Sequence, residues 1–387
     1  MSDNISIKQR IFDAIASNRA ISRIRLAEKY HIRLATVTEV TRQLLTDGVI
    51  REAGEDNSTG GRKPVLLEIN SEAFYTIGIT LTRNHLTGGL FNAASESKLE
   101  VSFPTNENLT GDDLLALLKK TVDRLLKASE IKPEMLKGIG IGFPANVEKN
   151  TGIYNGATYY PLLKGVKVKD FLSEKYHVPV IVDHDVVLMT MAEYYLSALN
   201  VPDNFAVLFI GSGIGCRFII DGEIYRGVSN RASEFGHLSL RHDGPPCYCG
   251  NRGCFERLAS IEAIEQAYGS GKDFSQIVKL AKGNDEKALA VFRQTAEYIA
   301  LAIANIQNLM DVDMVIINGD IVAARDVLIR ELHRQLQLKT LHRREIDLEK
   351  VFFSDIGSKV ATVGPAVMAA DCHFLSRGIN IFPRRKV

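Results

Sequence analysis

The chain has 387 residues, 45% of them hydrophobic and 24% charged, a length for two or three domains and the balance of a soluble chain with ample core. Forty-seven Lys and Arg against 46 Asp and Glu leave a net charge of +1, which excludes a histone-like polycation but leaves room for a small basic module. No apolar run approaches the ~20 residues of a membrane helix, and the polar start Met1–Arg10 carries no signal-peptide core, so a cytoplasmic protein is expected. Five cysteines without an export signal argue against a disulfide framework, and three of them, between Cys247 and Cys254, point to metal.

The first seventy residues have a rhythm of their own. Ile7, Ile11 and Ile15 recur every fourth position, the stripe of an amphipathic helix. Ser22 is placed to cap a second short helix, Ser22–Tyr30. A third runs from about Leu34 to Asp47 and stops at Gly48. Val49–Glu52 and Val65–Ile69 then read as two strands around the loop Gly54–Pro64. Three helices and a hairpin make a winged helix-turn-helix; a plain three-helix bundle is the alternative.

On the third helix Val37, Val40, Thr41, Leu44 and Leu45 share one face, and Ala35, Thr38, Glu39, Arg42 and Thr46 the other. A helix entering the major groove needs short donors near its start and a cation further along. Thr36, Thr38 and Arg42 meet that description, and Arg33 in the preceding turn is within reach of a phosphate. Arg62 and Lys63, at the tip Gly60–Pro64, suit a minor groove or the backbone. Residues 1–70 hold eleven Lys and Arg against nine Asp and Glu. The order of the elements, more than charge, therefore points to DNA.

From Phe74 onward the pattern is α/β. Strand-like segments include Tyr75–Leu81, Gly138–Phe143, Val178–Val182, Phe205–Ile210, Cys216–Ile220 and Met314–Ile317, with helical stretches such as Asp112–Ala128, Val186–Leu199, Ala288–Met310 and Val322–Leu336 between them. Tyr75–Phe91 and Ala206–Tyr225 echo each other as strand, turn and strand. A duplicated start of this kind suits a two-lobed fold.

His237, Cys247, Cys249 and Cys254 stand as H-x9-C-x-C-x4-C. Thiolates with one imidazole are what tetrahedral Zn²⁺ takes, and four protein ligands make such an ion structural. Glu234 and Glu256 flank the cluster, and a carboxylate there has two acceptor oxygens for vicinal sugar hydroxyls. Cys216 and Cys372 lie apart in apolar surroundings and read as core.

The run Ser233-Glu-Phe-Gly-His237 followed by Cys247-Tyr-Cys-Gly-Asn-Arg-Gly-Cys-Phe-Glu256 closely resembles the signature of the ROK family, which groups sugar-responsive repressors with sugar kinases. The resemblance covers nearly the whole chain and lies nearest the repressor branch, that of the xylose and N-acetylglucosamine repressors. It implies an α/β architecture in which a winged helix-turn-helix precedes an actin-like, two-lobed sugar-kinase fold. It implies zinc ligands at His237, Cys247, Cys249 and Cys254, and sugar contacts at Glu234 and Glu256, with the other nitrogen of His237 free to meet a hydroxyl. In kinases of the family an Asn-Asp pair after a strand contacts the sugar; here His184-Asp185 stands there, so Asp185 matches and His184 departs. Asn155-Gly156 occupies the place of a further sugar-contacting loop. The kinases also carry Asp-x-Gly-Gly-Thr-Lys between their first two strands. This chain has Thr80-Leu-Thr-Arg-Asn-His85, with none of the motif's acid, glycines, threonine or lysine at its own position. Gly211-Ser-Gly-Ile-Gly215 is still compatible with phosphate, and Gly319-Asp320 replaces a glycine pair near the adenosine side.

The expected organisation is therefore a DNA-binding domain at 1–70, a first lobe at 71–185 and a second at 186–387 with the zinc site, its C-terminal helix returning to the first lobe. The expected function is a non-catalytic, sugar-responsive repressor of carbohydrate-metabolism genes, a homodimer or higher oligomer on operator DNA with a monosaccharide effector in the interlobe cleft. The rival is an ATP-dependent sugar kinase with Asp185 as general base. A third reading has a protein partner, such as a transporter component, release the chain from DNA.

Overall fold

The computed structural model describes residues 7–16, 18, 20–55, 63–145, 147–148, 151–154, 160–197, 199, 201–228, 232–339, 350–375 and 379. The N-terminal module runs α1 (Ile7–Ala16), β1 (Ile21–Ser22), α2 (Arg23–Lys29), α3 (Leu34–Thr46), β2 (Ile50–Glu55) and β3 (Val65–Ile69). Its sheet has the order β1-β3-β2, with Ile21 opposite Leu67. The two-residue strand β1 closes the hairpin onto the helices and is too short to leave a sequence signature. Ser22 caps α2 by accepting from the Arg25 N–H at 3.3 Å. Ile11, Ile15, Leu26, Val37, Leu44 and Leu67 are fully buried, so most of the stripes read from the sequence form the module's core, but Ile7, which opens the first stripe, is exposed.

The chain divides into two compact units, the first comprising Met1–Gly156, Tyr160–Asp183 and Thr362–Pro383, the second Ala157–Tyr159, His184–Ala361 and Arg384–Val387. After the N-terminal module, the first unit continues β4 (Tyr75–Leu81), β5 (His85–Asn92), β6 (Ser97–Pro104), α4 (Gly111–Ser129), β7 (Leu136–Phe143), α5 (Val168–Tyr176) and β8 (Val180–His184). These strands have the order β6-β5-β4-β7-β8. The second unit carries α6 (Asp185–Leu196), β9 (Phe205–Ile210), β10 (Ile214–Ile220), β11 (Glu223–Ile224), α7 (Phe255–Ala259), α8 (Ile261–Tyr268), α9 (Phe274–Lys282), α10 (Glu286–Met310), β12 (Met314–Asn318), α11 (Arg325–Lys339) and β13 (Val351–Phe353). Its sheet reads β11-β10-β9-β12-β13. The two sheets share one plan, an antiparallel hairpin joined to a parallel strand on the far side of its first member. The strand–turn–strand echo in the sequence is the start of each sheet.

The last helix, α12 (Val360–Leu375), lies on the first unit's sheet. There the strands are cleared of side chains: a Cβ on Gly78 would stand 1.9 Å from the Thr362 carbonyl oxygen, and one on Gly140 1.9 Å from that of Pro365. Only glycine lets helix and strand backbones approach so closely. At its far end Phe374 packs on Phe12 and Phe74, with ring centroids 5.4 and 5.0 Å away. The N-terminal module and the end of α12 thus share one apolar core. Among the described residues, no helix is long and apolar enough to cross a membrane.

Several element boundaries differ from the sequence reading by a few residues. The strand expected at Val178–Val182 is Val180–His184, because Pro179 offers no N–H to a ladder. The helix expected from Val322 begins as a 3-10 turn, Asp320–Ala324, before α11.

Candidate functional site

The side chains of His237, Cys247, Cys249 and Cys254 converge, their ligand atoms all within 4.8 Å of one another. The His237 Nδ1 lies 3.6 Å from the Cys247 Sγ, and the Cys249 and Cys254 sulfurs are 3.6 Å apart. Ligands about 2.0–2.3 Å from one tetrahedral ion stand about 3.5–3.8 Å from each other. A disulfide would need about 2.05 Å. The backbone is shaped for this convergence: Gly253 has φ +61°, and a Cβ there would lie 1.6 Å from the Arg241 carbonyl oxygen. Burial and the neighbouring sulfurs of Cys249 and Cys247 push the Cys254 thiol well above the usual cysteine range. A cation among these groups reverses that penalty, so the donor set fits a metal ion.

The candidate sugar-binding side chains of the second unit are organised around the first residues of β10. Ile214 donates its N–H to the Glu256 Oε2 at 3.0 Å, and Glu256 is buried on α7, whose N-cap is Cys254 of the cluster. On the other side a Cβ at Gly236 would lie 2.2 Å from the Ile214 carbonyl oxygen, so the Glu234–His237 turn is pressed on the same residue. Gly215 packs on Val186, next to Asp185, its missing Cβ 2.7 Å from the Val186 Cγ2. Three segments that carry Asp185, Glu234 and Glu256 thus meet one strand end.

Asp185 opens α6. Its Oδ1 accepts the Val186 N–H at 2.6 Å and stands 2.9 Å from the His184 Nδ1. The Val186 N–H also donates to the His184 Nδ1 at 3.3 Å, so this nitrogen caps α6 from beside the carboxylate. Among the described residues no hydrogen bond reaches the second oxygen of Asp185. Glu234 is exposed, and among the described residues no hydrogen bond reaches its carboxylate. The His237 Nε2 faces the Tyr248 hydroxyl at 3.4 Å, so any sugar hydroxyl at that nitrogen displaces or joins an exposed phenol. Asn155 lies outside the described residues.

The two loops that the sequence reading set against a nucleotide site both carry bonds to the chain's own groups. In the β4–β5 turn the Thr82 N–H bonds the His85 carbonyl at 2.8 Å, and the Tyr160 hydroxyl donates to the carbonyls of Thr82 and Arg83 at 2.7 and 2.9 Å. At Gly211–Gly215 the Gly211 N–H bonds the Gly213 carbonyl at 2.9 Å, while Glu256 takes the Ile214 N–H. The Asp320 Oδ2 stands 3.1 Å from where a Gly211 Cβ would be. Burial holds the Asp320 carboxyl above its ordinary pKa.

On the N-terminal module, Ala35, Thr38, Glu39, Arg42 and Thr46 of α3 are exposed while Val37, Thr41 and Leu44 are buried. Arg42 is held by Glu39 through bonds of 3.0 and 2.6 Å. The Thr38 hydroxyl donates back to the Leu34 carbonyl at 2.8 Å, leaving its lone pairs outward. Arg33 and Lys63 are exposed and Thr36 is half-buried; Arg62 lies outside the described residues.

Residues 76–371 match the ROK family. The chain belongs to this family. It is 27% identical to the xylose repressor of Bacillus spizizenii over 367 residues, covering 93% of this chain and 94% of that protein. It is 28% identical to the DNA-binding transcriptional dual regulator NagC of Escherichia coli over 336 residues, 83% of this chain and 82% of that one. The fold is that of a ROK family transcriptional regulator described as a homologue of the E. coli MLC protein, with a TM-score of 0.76 at 24% identity over 94% of both chains. A ROK family glucokinase from Streptomyces griseus superposes with a TM-score of 0.66 at 21% identity, covering 98% of itself and 76% of this chain.

In this ROK chain the sequence reading missed Tyr160 and Tyr248, whose contacts are made by hydroxyls that carry no spacing signal. It also placed Glu39 and Arg42 on one face of the third helix without pairing them, although their i, i+3 spacing on a helix announces a pair.

Proposed function

We propose that this ROK protein is a transcriptional repressor that binds operator DNA through its N-terminal module and answers to a monosaccharide or sugar derivative. The observation that carries the reading is the extent of similarity. The xylose repressor aligns with 93% of the chain, whereas the glucokinase fills 98% of its own length against only 76% of this one. What the repressors add is the module of three helices and a hairpin. In this reading Asp185, His184, Glu234, His237, Glu256 and Asn155 hold the sugar, and zinc at His237, Cys247, Cys249 and Cys254 fixes the segment from Glu234 to Glu256. Two copies read a two-fold symmetric site with one α3 in each half. An inducing sugar must bind the DNA-incompetent arrangement more tightly, since equal affinity for both shifts nothing.

Kinase activity is not expected. Phosphoryl transfer needs a cradle of N–H donors and Mg²⁺ ligands at the phosphates. Here the Thr80–His85 turn has neither glycine nor acid, and the carboxylates of Glu256 and Asp320 stand at the other loop. A coupled assay with ATP, Mg²⁺ and a panel of monosaccharides including xylose, glucose and N-acetylglucosamine checks this. Turnover that follows the purified protein overturns the repressor reading.

DNA recognition divides between reading and anchoring. Arg42 exchanges Glu39 for a base edge, and Arg42→Ala is expected to lose about 1–3 kcal/mol of discrimination at particular base pairs. Arg62→Ala with Lys63→Ala is expected to weaken binding to every sequence and lower the log–log salt slope by about 0.9 for each phosphate no longer neutralised. Gel shifts on a randomised operator library at two salt concentrations separate these effects. Unchanged affinity and preference in both variants would sink the assignment.

A further inference from the structure

Arg217 lies in the middle of β10 and is only 4% exposed. Its neighbours Cys216, Phe218 and Ile219 are buried apolar residues. A guanidinium in such a strand is costly unless its N–H groups are satisfied. The Nη1 of Arg217 donates to two backbone carbonyls, that of Cys216 at 2.8 Å and that of Ser233 at 3.2 Å. Ser233 is the residue before Glu234 and has φ +69°, a left-handed conformation that a serine adopts only where its surroundings impose it. The same carbonyl accepts the Phe235 N–H at 2.6 Å. Glu234 itself has an exposed carboxylate without a partner among the described residues, so the backbone that carries it sets where the side chain starts and which positions its carboxylate can reach.

That backbone has two anchors. At one end His237 belongs to the metal cluster, and Gly236 is pressed on Ile214. At the other, Arg217 holds the Ser233 carbonyl. We infer that Arg217 is a positioning residue for effector binding: it sets the strained Ser233–Glu234 turn, and so aims the Glu234 carboxylate, by a hydrogen bond separate from the metal ligands. This rests on the reading of Glu234 as an effector contact. The planar fork of arginine matters here, because one nitrogen must serve two carbonyls from within a sheet; a lysine ammonium reaches the same place with less directional control.

The test uses full-length, metal-loaded protein carrying Arg217→Met or Arg217→Lys. Three readouts are compared with the wild type: metal content, hydrogen exchange by peptide, and calorimetric affinity for D-xylose, N-acetyl-D-glucosamine and D-glucose. In Arg217→Met the amides of Phe235–Leu238 should exchange about tenfold faster or more, the change that follows from losing one charge-assisted hydrogen bond. Metal content and exchange at Cys247–Glu256 should stay at wild-type values, and the affinity for whichever sugar the wild type binds should fall by a similar factor. Arg217→Lys should lie between the two. If neither variant changes exchange at Phe235–Leu238, or if exchange rises equally across the second unit, Arg217 is a packing residue and the inference falls. Should Arg217→Met fail to fold, Arg217→Lys decides by the same criterion. Failure of every sugar to bind the wild type counts against the proposed function, whereas the exchange data decide the role of Arg217 on their own.

Discussion

Cys247→Ser and Cys249→Ser are each expected to lose most of the bound zinc and to lower the melting temperature of the second unit by on the order of 10 °C, taking a few kcal/mol lost at about 2–4 °C each. Without a cation the cluster gathers three sulfurs and an imidazole within 4.8 Å, and the Cys254 thiol resists ionisation because of burial and its neighbours. Structural zinc contributes about 10–16 kcal/mol of apparent binding free energy in small zinc-finger peptides, so losing one thiolate of four ligands is a large change. The effect should spread beyond the loop. Cys254 precedes α7, whose Phe255 is fully buried and whose Glu256 holds the Ile214 N–H. Elemental analysis should give close to one zinc per wild-type chain, and native protein purified without chelators yet free of metal would refute the assignment.

The His237/Cys247/Cys249/Cys254 cluster, whose donor set fits a metal ion, was readable in the sequence because a compact loop that gathers four such side chains keeps them close together in the chain. The H-x9-C-x-C-x4-C spacing therefore survives as a local pattern. The core stripes of α1 and α3 were readable for a similar reason, since helical periodicity is local too. The doubled sheet plan left only an echo, because pairing of β4 with β7 or β9 with β12 joins strands far apart in sequence.

Other features were beyond reach. The role of Ile214 and Gly215 as the place where Glu256, Gly236 and the start of α6 meet depends on backbone atoms, which every residue has, and on glycines that any tight turn would use. Arg217 was present as an arginine in an apolar run, but its partner is a carbonyl, and a carbonyl has no letter in the sequence. His184 departs from the family pair, yet it supplies the N-cap position of α6 beside Asp185. What changes at such a position is which polar group stands next to the carboxylate, and only the geometry tells that its Nδ1 points there.

Asp185→Asn and Glu234→Ala are expected to abolish the response to the effector while leaving operator affinity within about twofold of the wild type. The Asp185 Oδ1 accepts the Val186 N–H; an asparagine carbonyl keeps that bond and with it the start of α6, so the substitution removes charge without removing the cap. What it loses is an ionised acceptor for a ligand hydroxyl, worth about 1.5–3 kcal/mol, or roughly ten- to 150-fold in affinity. Glu234→Ala removes a carboxylate with no partner among the described residues, so folding has little to lose and any loss of affinity comes from the ligand. Operator binding is spared because α3 and the core beneath it, built on Val37, Leu44 and Leu67, include neither residue. If both carboxylates grip the same sugar, the double variant falls short of the sum of the single losses, since the weakened ligand is no longer held where the second hydrogen bond forms. Fluorescence anisotropy of labelled operator, titrated with protein with and without xylose or N-acetylglucosamine, measures both quantities at once. A normal sugar response in both variants would show that these carboxylates do not contact the effector, whereas weakened operator binding without sugar would place them in the coupling to DNA.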